Sequence, residues 1–323
     1  MRYVGRLAPS PTGALHLGNV RTFMIAWLRA RTQNGKVIFR MEDLDHPKDK
    51  PGAAAQAVED LRWLGFDWDE EYVQSERKDV YREALEALKA QGLVFPCVCS
   101  RKDVEAAQSA PHAGEQLYYP GTCRGRFKSW DAAKEFLAAS RVSSDSRDSS
   151  RSPCWRFAVA SDSCFFFDDA FAGHYEQDVS RTLGDFPLAR DEFGAGYTLA
   201  CTVDDLLMGV TEVVRGDDLL PATPAQILLA NALRNSSARH LHLHSTPSYC
   251  HVPLVVGKDG KRLAKRHGDT RIATFREQGK SPEEILGILA ASCGWTEAGE
   301  RVTLRDLLSL FDLGTIPRTP FMI

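Results

Sequence analysis

The first ninety residues alternate between short apolar runs and longer stretches in which apolar residues recur at helical spacing. The runs YVGRL and KVIFRM have the length and composition of buried strands. A largely buried helix follows the first run from Val20, with Gly35 as its stop, and two amphipathic helices follow the second. Their apolar faces are Ala54, Ala57, Val58, Leu61 and Leu64, then Tyr81, Ala84, Leu85 and Leu88. This order of strands and helices predicts an α/β fold built on a parallel sheet.

The alternation stops in the middle of the chain and then returns. Residues 96–130 are rich in loop-forming residues, and the segment 140–152, SRVSSDSRDSSRS, contains seven serines and no aromatic residue. We expect this segment to be a flexible and dispensable surface loop, because it has too little apolar area to pack. Strand-like runs resume at CWRFAV and CFFFDDAF, and the regular alternation of strands and helices returns at GYTLACTVDD. In the last third, Ser281, Pro282 and Glu284 have the pattern of an N-cap, a first-turn proline and a capping-box acid, which predicts a helix start before ILGILAASCG. The sequence therefore predicts a split parallel, Rossmann-like sheet with an inserted subdomain and a C-terminal helical unit, divided as 1–95, 96–190, 191–245 and 246–323.

Composition describes an ordinary globular chain of 323 residues, with 43% hydrophobic and 26% charged residues. Its apolar runs are too short to span a bilayer, and the opening MRY leads into a strand instead of a signal peptide. We therefore expect a cytoplasmic protein with no membrane partner. The net charge of −3 gives no overall attraction to nucleic acid. Any RNA would have to bind a local basic surface, such as Arg124, Arg126 and Lys128.

The segment RLAPSPTGALHLGN joins the first strand to the first helix, and its prolines and glycines predict a tight loop. Ligands of open parallel sheets bind beyond the carboxyl ends of the strands, often at helix N-termini. His16 can donate to a phosphate oxygen without being charged, and Gly18 leaves the backbone open to a nucleotide. Free N–H groups of the first helical turn would also favour phosphate. Taken alone, so short a motif is more often a simple turn with a surface histidine.

A second glycine-rich loop lies far downstream, at residues 257–270, with the sequence GKDGKRLAKRHGDT. A basic loop of this kind is usually a solvated turn. In combination with a phosphate-binding helix entrance, it predicts a lid whose Lys265 stabilises charge on a transferred phosphate.

These two segments resemble the two signature motifs of class I aminoacyl-tRNA synthetases. FRMEDLD, WLGFDWDE and QSERKDVY extend the resemblance to the glutamyl branch, over nearly the whole chain apart from the serine-rich loop and the last residues. The lid departs from the family pattern, because Arg262 replaces a lysine and Ala264 stands where serine is usual. Lys265 keeps the position of the catalytically important lysine, so we expect these changes to alter the reaction rate without abolishing the activity.

The resemblance implies activation of L-glutamate by ATP with Mg²⁺, in which His16 and Lys265 are the catalytic residues. It also implies that Glu42 receives the α-ammonium group and that Arg6 or Arg215 pairs with substrate carboxylates in a fork-like geometry. Taken singly, each of these charged residues is more often a structural ion-pair partner. The implied glutamate contacts are Arg6, Leu7, Ala8, Pro9, Ser10, Glu42, Tyr197 and Arg215. The implied ATP contacts are His16, Gly18, Asn19 and Lys265.

Eight cysteines in a long chain without secretory signals favour free thiols or a metal site over disulfides. Cys97, Cys99 and Cys123 can supply three ligands to a tetrahedral zinc, the alternative being three buried free thiols. Coordination chemistry alone favours His112 as the fourth ligand, whereas the resemblance implies Tyr119. The inserted subdomain is thus expected to contain one structural zinc. The other cysteines are expected to lie in the core: Cys154, Cys164, Cys201, Cys250 and Cys293.

The chain stops at Ile323, where glutamyl-tRNA synthetases continue into a helical anticodon-binding region. This shorter architecture resembles the members of the branch that activate glutamate without tRNA and esterify it to the queuosine base in the anticodon of tRNA(Asp). The expected partners of a monomer are then ATP, L-glutamate and the anticodon loop of tRNA(Asp). Three alternatives stay open: a synthetase that charges an acceptor end, a small-molecule adenylate-forming ligase, and an inactive paralogue that acts as a binding module.

Overall fold

The structure is a computed structural model that describes residues 2–44, 49–107, 118–142, 151–192, 194–236, 241–261, 263 and 270–323. Most of the serine-rich segment lies outside these residues, as do His112, Arg262, Ala264 and Lys265. No helix in the described ranges has the length and apolar character needed to cross a bilayer.

Strands and helices alternate through both ends of the described chain, with a cluster of strands between them. The strands are β1 (Val4–Leu7), β2 (Lys36–Met41), β3 (Glu70–Val73), β4 (Val94–Cys97), β5 (Cys154–Phe157), β6 (Cys164–Asp169), β7 (Gly173–Asp178), β8 (Phe186–Ala189), β9 (Glu212–Gly216), β10 (Ser248–Val252), β11 (Val255–Val256) and β12 (Phe321–Met322). The α-helices are α1 (Leu17–Arg31), α2 (Ala53–Trp63), α3 (Lys78–Ala90), α4 (Arg101–Ala107), α5 (Trp130–Val142), α6 (Val179–Thr182), α7 (Tyr197–Leu207), α8 (Thr223–Arg234), α9 (Ile272–Glu277), α10 (Pro282–Ala291) and α11 (Leu304–Leu310).

The centre of the fold is a parallel sheet in two halves. In one half β1 pairs with β2 and β2 with β3, and in the other β9 pairs with β10. The halves meet where the backbone N–H of Thr211, just before β9, donates to the Val4 carbonyl at 2.9 Å. The strand order is therefore β3-β2-β1-β9-β10. This arrangement confirms the predicted α/β fold with a parallel sheet.

Both faces of this sheet are covered, as is usual for parallel strands. Phe39 and Met41 on β2 pack in a core with α1, α2 and α10, whereas Ile38 between them packs with Val213 and Tyr249 on the opposite face. This alternation explains why β2 reads as one continuous apolar run.

The region between β3 and β9 is antiparallel. β4, β5 and β8 form one sheet, and β6 and β7 form a hairpin. This antiparallel part runs from Val94 to Ala189, and the predicted subdomain boundaries themselves stay a prediction.

Helix α10 begins with the predicted capping box. The Ser281 hydroxyl accepts from the Glu284 N–H at 3.3 Å, and the Glu284 carboxylate accepts from the Ser281 N–H at 2.9 Å. Such caps stabilise a helix by about 1 kcal/mol. The cap starts a helix whose buried residues, Ile285, Leu286 and Leu289, pack in the same core as α1.

Candidate active site at the carboxyl ends of the parallel strands

A cavity of about 650 Å³ opens at the carboxyl ends of β1, β2 and β9. This edge of an open parallel sheet is the usual place for a ligand. The residues predicted to bind glutamate or ATP that lie within the described ranges all line the cavity except Leu7, whose side chain is buried in the core. Those lining it are Arg6, Ala8, Pro9, Ser10, His16, Gly18, Asn19, Glu42, Tyr197 and Arg215.

His16 is the N-cap of α1. Its Nδ1 accepts from the backbone N–H groups of Gly18 at 3.1 Å and Asn19 at 3.4 Å, and the Asn19 side chain accepts from the His16 N–H. The expectation of free N–H groups at this helix entrance is therefore wrong for these two residues, because the imidazole takes both. Since Nδ1 accepts, the proton of the neutral ring is on Nε2. A neutral His16 can thus donate from Nε2, as the phosphate-binding hypothesis requires.

Gly18 is needed for this cap. A Cβ atom at this position would lie 3.0 Å from the His16 ring and 3.5 Å from Val255. A larger residue would therefore displace the imidazole, in addition to blocking the approach of a nucleotide to the backbone.

Two described residues of the basic glycine-rich loop, Leu263 and Thr270, lie beside the first motif. Leu263 lines the cavity, and the Thr270 carbonyl accepts from the Leu17 N–H at 3.1 Å. The Ile272 N–H in turn donates to the Leu15 carbonyl at 3.0 Å. Two segments some 250 positions apart in the chain therefore meet at the entrance of α1. Lys265 lies outside the described residues, and its catalytic role stays a prediction.

Glu42 is held by neighbours that sequence reasoning missed. Arg40, which is 0% exposed, donates to Glu42 Oε1 at 2.9 Å and to Asp205 Oδ1 at 2.6 Å. The Cys201 thiol donates to the same Glu42 oxygen at 3.1 Å. Within the described residues these bonds use Oε1, which leaves Oε2 for an ammonium group.

The charges around Glu42 explain this arrangement. Burial disfavours the charge on Arg40, but the carboxylates of Asp205 and Glu42 hold its pKa well above its usual value. Burial, followed by the Glu42 charge, raises the pKa of Cys201, so that residue remains a thiol donor. A charged residue inside the apolar run KVIFRM was the one signal in the sequence for Arg40.

Two arginines, Arg6 and Arg215, line the same cavity. Arg6 Nη1 donates to the Val214 carbonyl at 3.0 Å, and its Nε lies 3.7 Å from Asp205 Oδ1. Arg215 Nε donates to His251 Nε2 at 3.0 Å, and Arg215 Nη2 donates to Thr223 Oγ1 at 2.8 Å. A fork-like pairing through both terminal nitrogens of Arg215 would therefore compete with Thr223. Tyr197, at the start of α7, is 43% exposed and lines the same cavity.

Three thiols lie together in the antiparallel region. The Sγ atoms of Cys97, Cys99 and Cys123 are all within 4.8 Å of one another. Tyr119 Oη lies 3.3 Å from Cys97 Sγ and 3.9 Å from Cys99 Sγ, and it accepts from the Cys123 N–H at 2.8 Å. This donor set fits a tetrahedral zinc with three thiolates and one oxygen.

A cation and a further thiol adjoin the cluster. Arg156 Nε donates to Cys97 Sγ at 3.2 Å. Hydrogen bonds from the neighbouring thiols, Cys123 first, lower the pKa of Cys97 and favour its thiolate. Cys154 pairs directly with Cys97 across β4 and β5. It is half-buried beside the cluster and not a plain core residue, because antiparallel pairing places the two side chains on the same face.

One other cysteine prediction is wrong. Cys164 is exposed, and its thiol donates to the Glu176 carboxylate across the β6–β7 hairpin. Phe166, which lies on the same face of β6, is exposed as well. Cys201, Cys250 and Cys293 are buried, as predicted.

Comparison with known proteins decides the family. Residues 3–311 match the family described as tRNA synthetases class I (E and Q), catalytic domain. The chain belongs to this family. It is accordingly an enzyme of the ligase class, and the resemblance drawn from the motifs is confirmed.

Individual relatives cover almost the whole chain. It is 44% identical to the Glutamyl-Q tRNA(Asp) synthetase of Symbiobacterium thermophilum, over 99% of this chain and 95% of that protein. Identity to the enzyme of the same name from Rhodopirellula baltica is 46%, over 90% and 85% of the two chains. Among solved structures, a glutamate tRNA ligase from Elizabethkingia meningosepticum in complex with its amino acid has a TM-score of 0.79 at 26% identity, covering 100% of this chain and 67% of that one.

Proposed function

We propose that this enzyme activates L-glutamate with MgATP and transfers it to the queuosine base in the anticodon of tRNA(Asp). The observation that carries the activation step is one cavity that is lined by Glu42, by Arg6 and Arg215, and by the capped end of α1. An amino dicarboxylate has one ammonium and two carboxylate groups, which this set of charges complements.

The cavity residues suit the first half-reaction. Glu42 Oε2 binds the α-ammonium group, and Arg6 and Arg215 bind the carboxylates, so the α-carboxylate is presented to ATP. A carboxylate oxygen attacks the α-phosphorus, the bond from that phosphorus to the bridging oxygen breaks, and pyrophosphate leaves. His16 Nε2 donates to a phosphate oxygen, and Lys265 neutralises the charge that develops. The contribution of the protein is thus mainly positioning and charge stabilisation.

The second half-reaction is an acyl transfer. A hydroxyl of the acceptor attacks the glutamyl carbonyl, AMP leaves with the bonding electron pair, and the hydroxyl proton is released. Queuosine is proposed as the acceptor because the relatives from S. thermophilum and R. baltica, both named for it, match this chain almost end to end. A splayed anticodon base is accessible to a protein site in the way that single-stranded RNA allows.

Zinc is proposed as a structural component of the antiparallel region. Cys97, Cys99, Cys123 and Tyr119 would hold it, and a closed four-ligand site of this kind stabilises folding without taking part in the reaction.

ATP–pyrophosphate exchange tests the activation step. We expect exchange with L-glutamate in the absence of tRNA, and much less with aspartate or glutamine. Lys265→Ala should lower the exchange rate by about two orders of magnitude while glutamate binding survives, since the lysine acts on transition-state charge. Equal activity with all three amino acids would refute the assignment of the cavity.

The acceptor is tested separately with radiolabelled glutamate. We expect label on tRNA(Asp) that contains queuosine, including the same tRNA without its 3′-terminal adenosine, and none on unmodified tRNA(Asp). The structural likeness to a glutamate tRNA ligase favours one rival, charging of an acceptor end. Label on tRNA(Glu) that is lost with its terminal adenosine would establish that rival instead.

A further inference from the structure

A buried chain of hydrogen bonds connects the β6–β7 hairpin to the cavity. We propose that Asp169 and His251 are positioning residues, which hold the guanidinium of Arg215 in place for a carboxylate of the substrate. This inference rests on the proposed function, in which Arg215 contacts glutamate. The three residues come from the end of β6, from β10 and from β9.

The first link sets the protonation of the histidine. Arg215 Nε donates to His251 Nε2 at 3.0 Å, and an arginine Nε always carries its proton. His251 Nε2 must therefore be the acceptor, and the single proton of the neutral ring is on Nδ1. That proton is donated to Asp169 Oδ2 over 2.6 Å.

The second link makes the aspartate rigid. Asp169 Oδ1 accepts three backbone N–H groups, from Phe171 at 3.0 Å, Ala172 at 2.8 Å and His251 at 3.0 Å. The side chains of Asp169 and His251 are both 0% exposed. The carboxylate is thus held by the turn of the hairpin and by β10 at once, and it can accept from only one tautomer of the histidine.

The consequence falls on Arg215. With Nε bound to His251 and Nη2 bound to Thr223, its long side chain is held in one orientation before a ligand arrives. Within the described residues, Nη1 is the terminal nitrogen left for a carboxylate oxygen. A preordered arginine loses less side-chain entropy on binding than a mobile one. A neutral His251 also holds Arg215 without adding a second buried positive charge.

Substitutions at both positions separate this role from simple core packing. In His251→Gln the amide can still accept from Arg215 and donate to Asp169, whereas His251→Leu removes both bonds. In Asp169→Asn the amide oxygen is required by the three backbone donors, so its NH₂ group faces the ring and the proton of the ring moves to Nε2. His251 can then donate to Thr223 Oγ1, 3.1 Å from Nε2, but it can no longer accept from Arg215. Asp185→Asn is the matched control, because Asp185 is a buried carboxylate that accepts from the Val159 N–H away from the cavity.

The readout is glutamate-dependent ATP–pyrophosphate exchange. We expect His251→Leu and Asp169→Asn to raise the KM for glutamate by about 10- to 100-fold, the effect of losing a hydrogen bond to a charged group. The KM for ATP should stay unchanged, and His251→Gln and Asp185→Asn should keep the wild-type KM for glutamate. A wild-type KM in His251→Leu, a defect in His251→Gln equal to that in His251→Leu, or an equal defect in the control would overturn the proposal.

A spectroscopic measurement keeps the test independent of activity and of the stability of His251→Leu. In protein with ¹⁵N-labelled histidine, the ring signals missing from His251→Gln identify His251. We expect them to show a proton on Nδ1 in the wild type and on Nε2 in Asp169→Asn. An Nε2 proton in the wild type overturns the inference, whatever substrate the enzyme uses. Absence of glutamate-dependent exchange in the wild type, with an Nδ1 proton, would refute the proposed substrate and leave the hydrogen-bonded chain established.

Discussion

The ring of His16 has one observed role, as a helix cap, and one proposed role, as a phosphate donor, and a substitution can separate them. Nδ1 caps α1 through Gly18 and Asn19, while Nε2 is the donor proposed for phosphate. Asparagine is itself a preferred N-cap, so His16→Asn should keep the cap and lose the donor. His16→Ala loses both.

We expect His16→Ala to lower the free energy of unfolding by about 1 kcal/mol and His16→Asn to change it by less than about 0.5 kcal/mol. Both variants should lower the exchange rate by roughly 100-fold. Urea unfolding and ATP–pyrophosphate exchange measure the two effects. If His16→Asn exchanged at the wild-type rate, the ring would act only as a helix cap.

At the same scale, sequence reasoning predicted some of the charged residues at the cavity and missed others. Glu42 and Arg215 were found because they stand in motifs that resemble a known family. Arg40 and Asp205, which hold Glu42 and Arg6 in place, were missed as site residues. They contact the proposed binding residues only in the folded chain, and they look like ordinary charged residues in the sequence.

At the scale of elements, β4 and the loops that follow it form the thiol cluster. We expect metal analysis to give about one zinc per chain, and chelation to lower the Tm, because a closed site of this kind contributes directly to folding. Cys123→Ser should lose the zinc. The exposed Cys164→Ser, the control, should retain it.

Metal analysis also tests the identity of the fourth zinc ligand. Tyr119→Phe should weaken zinc binding, whereas Cys154→Ser should not, since Cys154 lies outside the set of thiols within 4.8 Å of one another. A protein that is free of metal yet folded and active would contradict the zinc assignment altogether. If Cys154→Ser weakened zinc binding and Tyr119→Phe did not, Cys154 would be the fourth ligand.

At the scale of the whole molecule, a hydrogen bond between Asp169 at the end of β6 and His251 on β10 connects the antiparallel region to the parallel sheet. Burial lowers the pKa of His251, opposed by Asp169 and reinforced by Arg215. Burial also opposes ionisation of Asp169, but its hydrogen bonds, from His251 first, hold its pKa below the usual value. In both cases the unfolded chain binds the proton more readily, so acid must destabilise the fold.

We therefore expect stability to fall as the pH drops below about 6.5, where an unfolded histidine takes up its proton. A second fall should follow below about 4, where the unfolded aspartate does. His251→Gln lacks the first titration, so its Tm should change less than that of the wild type between pH 7 and pH 5.5. Thermal unfolding across this range measures the difference. Parallel curves for the two proteins would mean that His251 does not couple folding to pH.

The sequence alone determined whatever depends on neighbours along the chain. The spacing of apolar residues indicated the α/β order, a capping pattern indicated the start of α10, and the first motif indicated a binding loop before α1. These features are local because strand and helix periods, caps and turns are set by residues a few positions apart. The family resemblance rests on the same short segments.

Only the tertiary structure decided which distant polar groups share a buried environment. Asp169, Arg215 and His251 lie 46 and 36 positions apart along the chain, yet they form one line of hydrogen bonds. Cys154 joins the thiol cluster for a similar reason, through the register of β4 and β5. A buried polar side chain must find a partner, but that partner is chosen by strand order and register, which the pattern of residues along the chain does not contain.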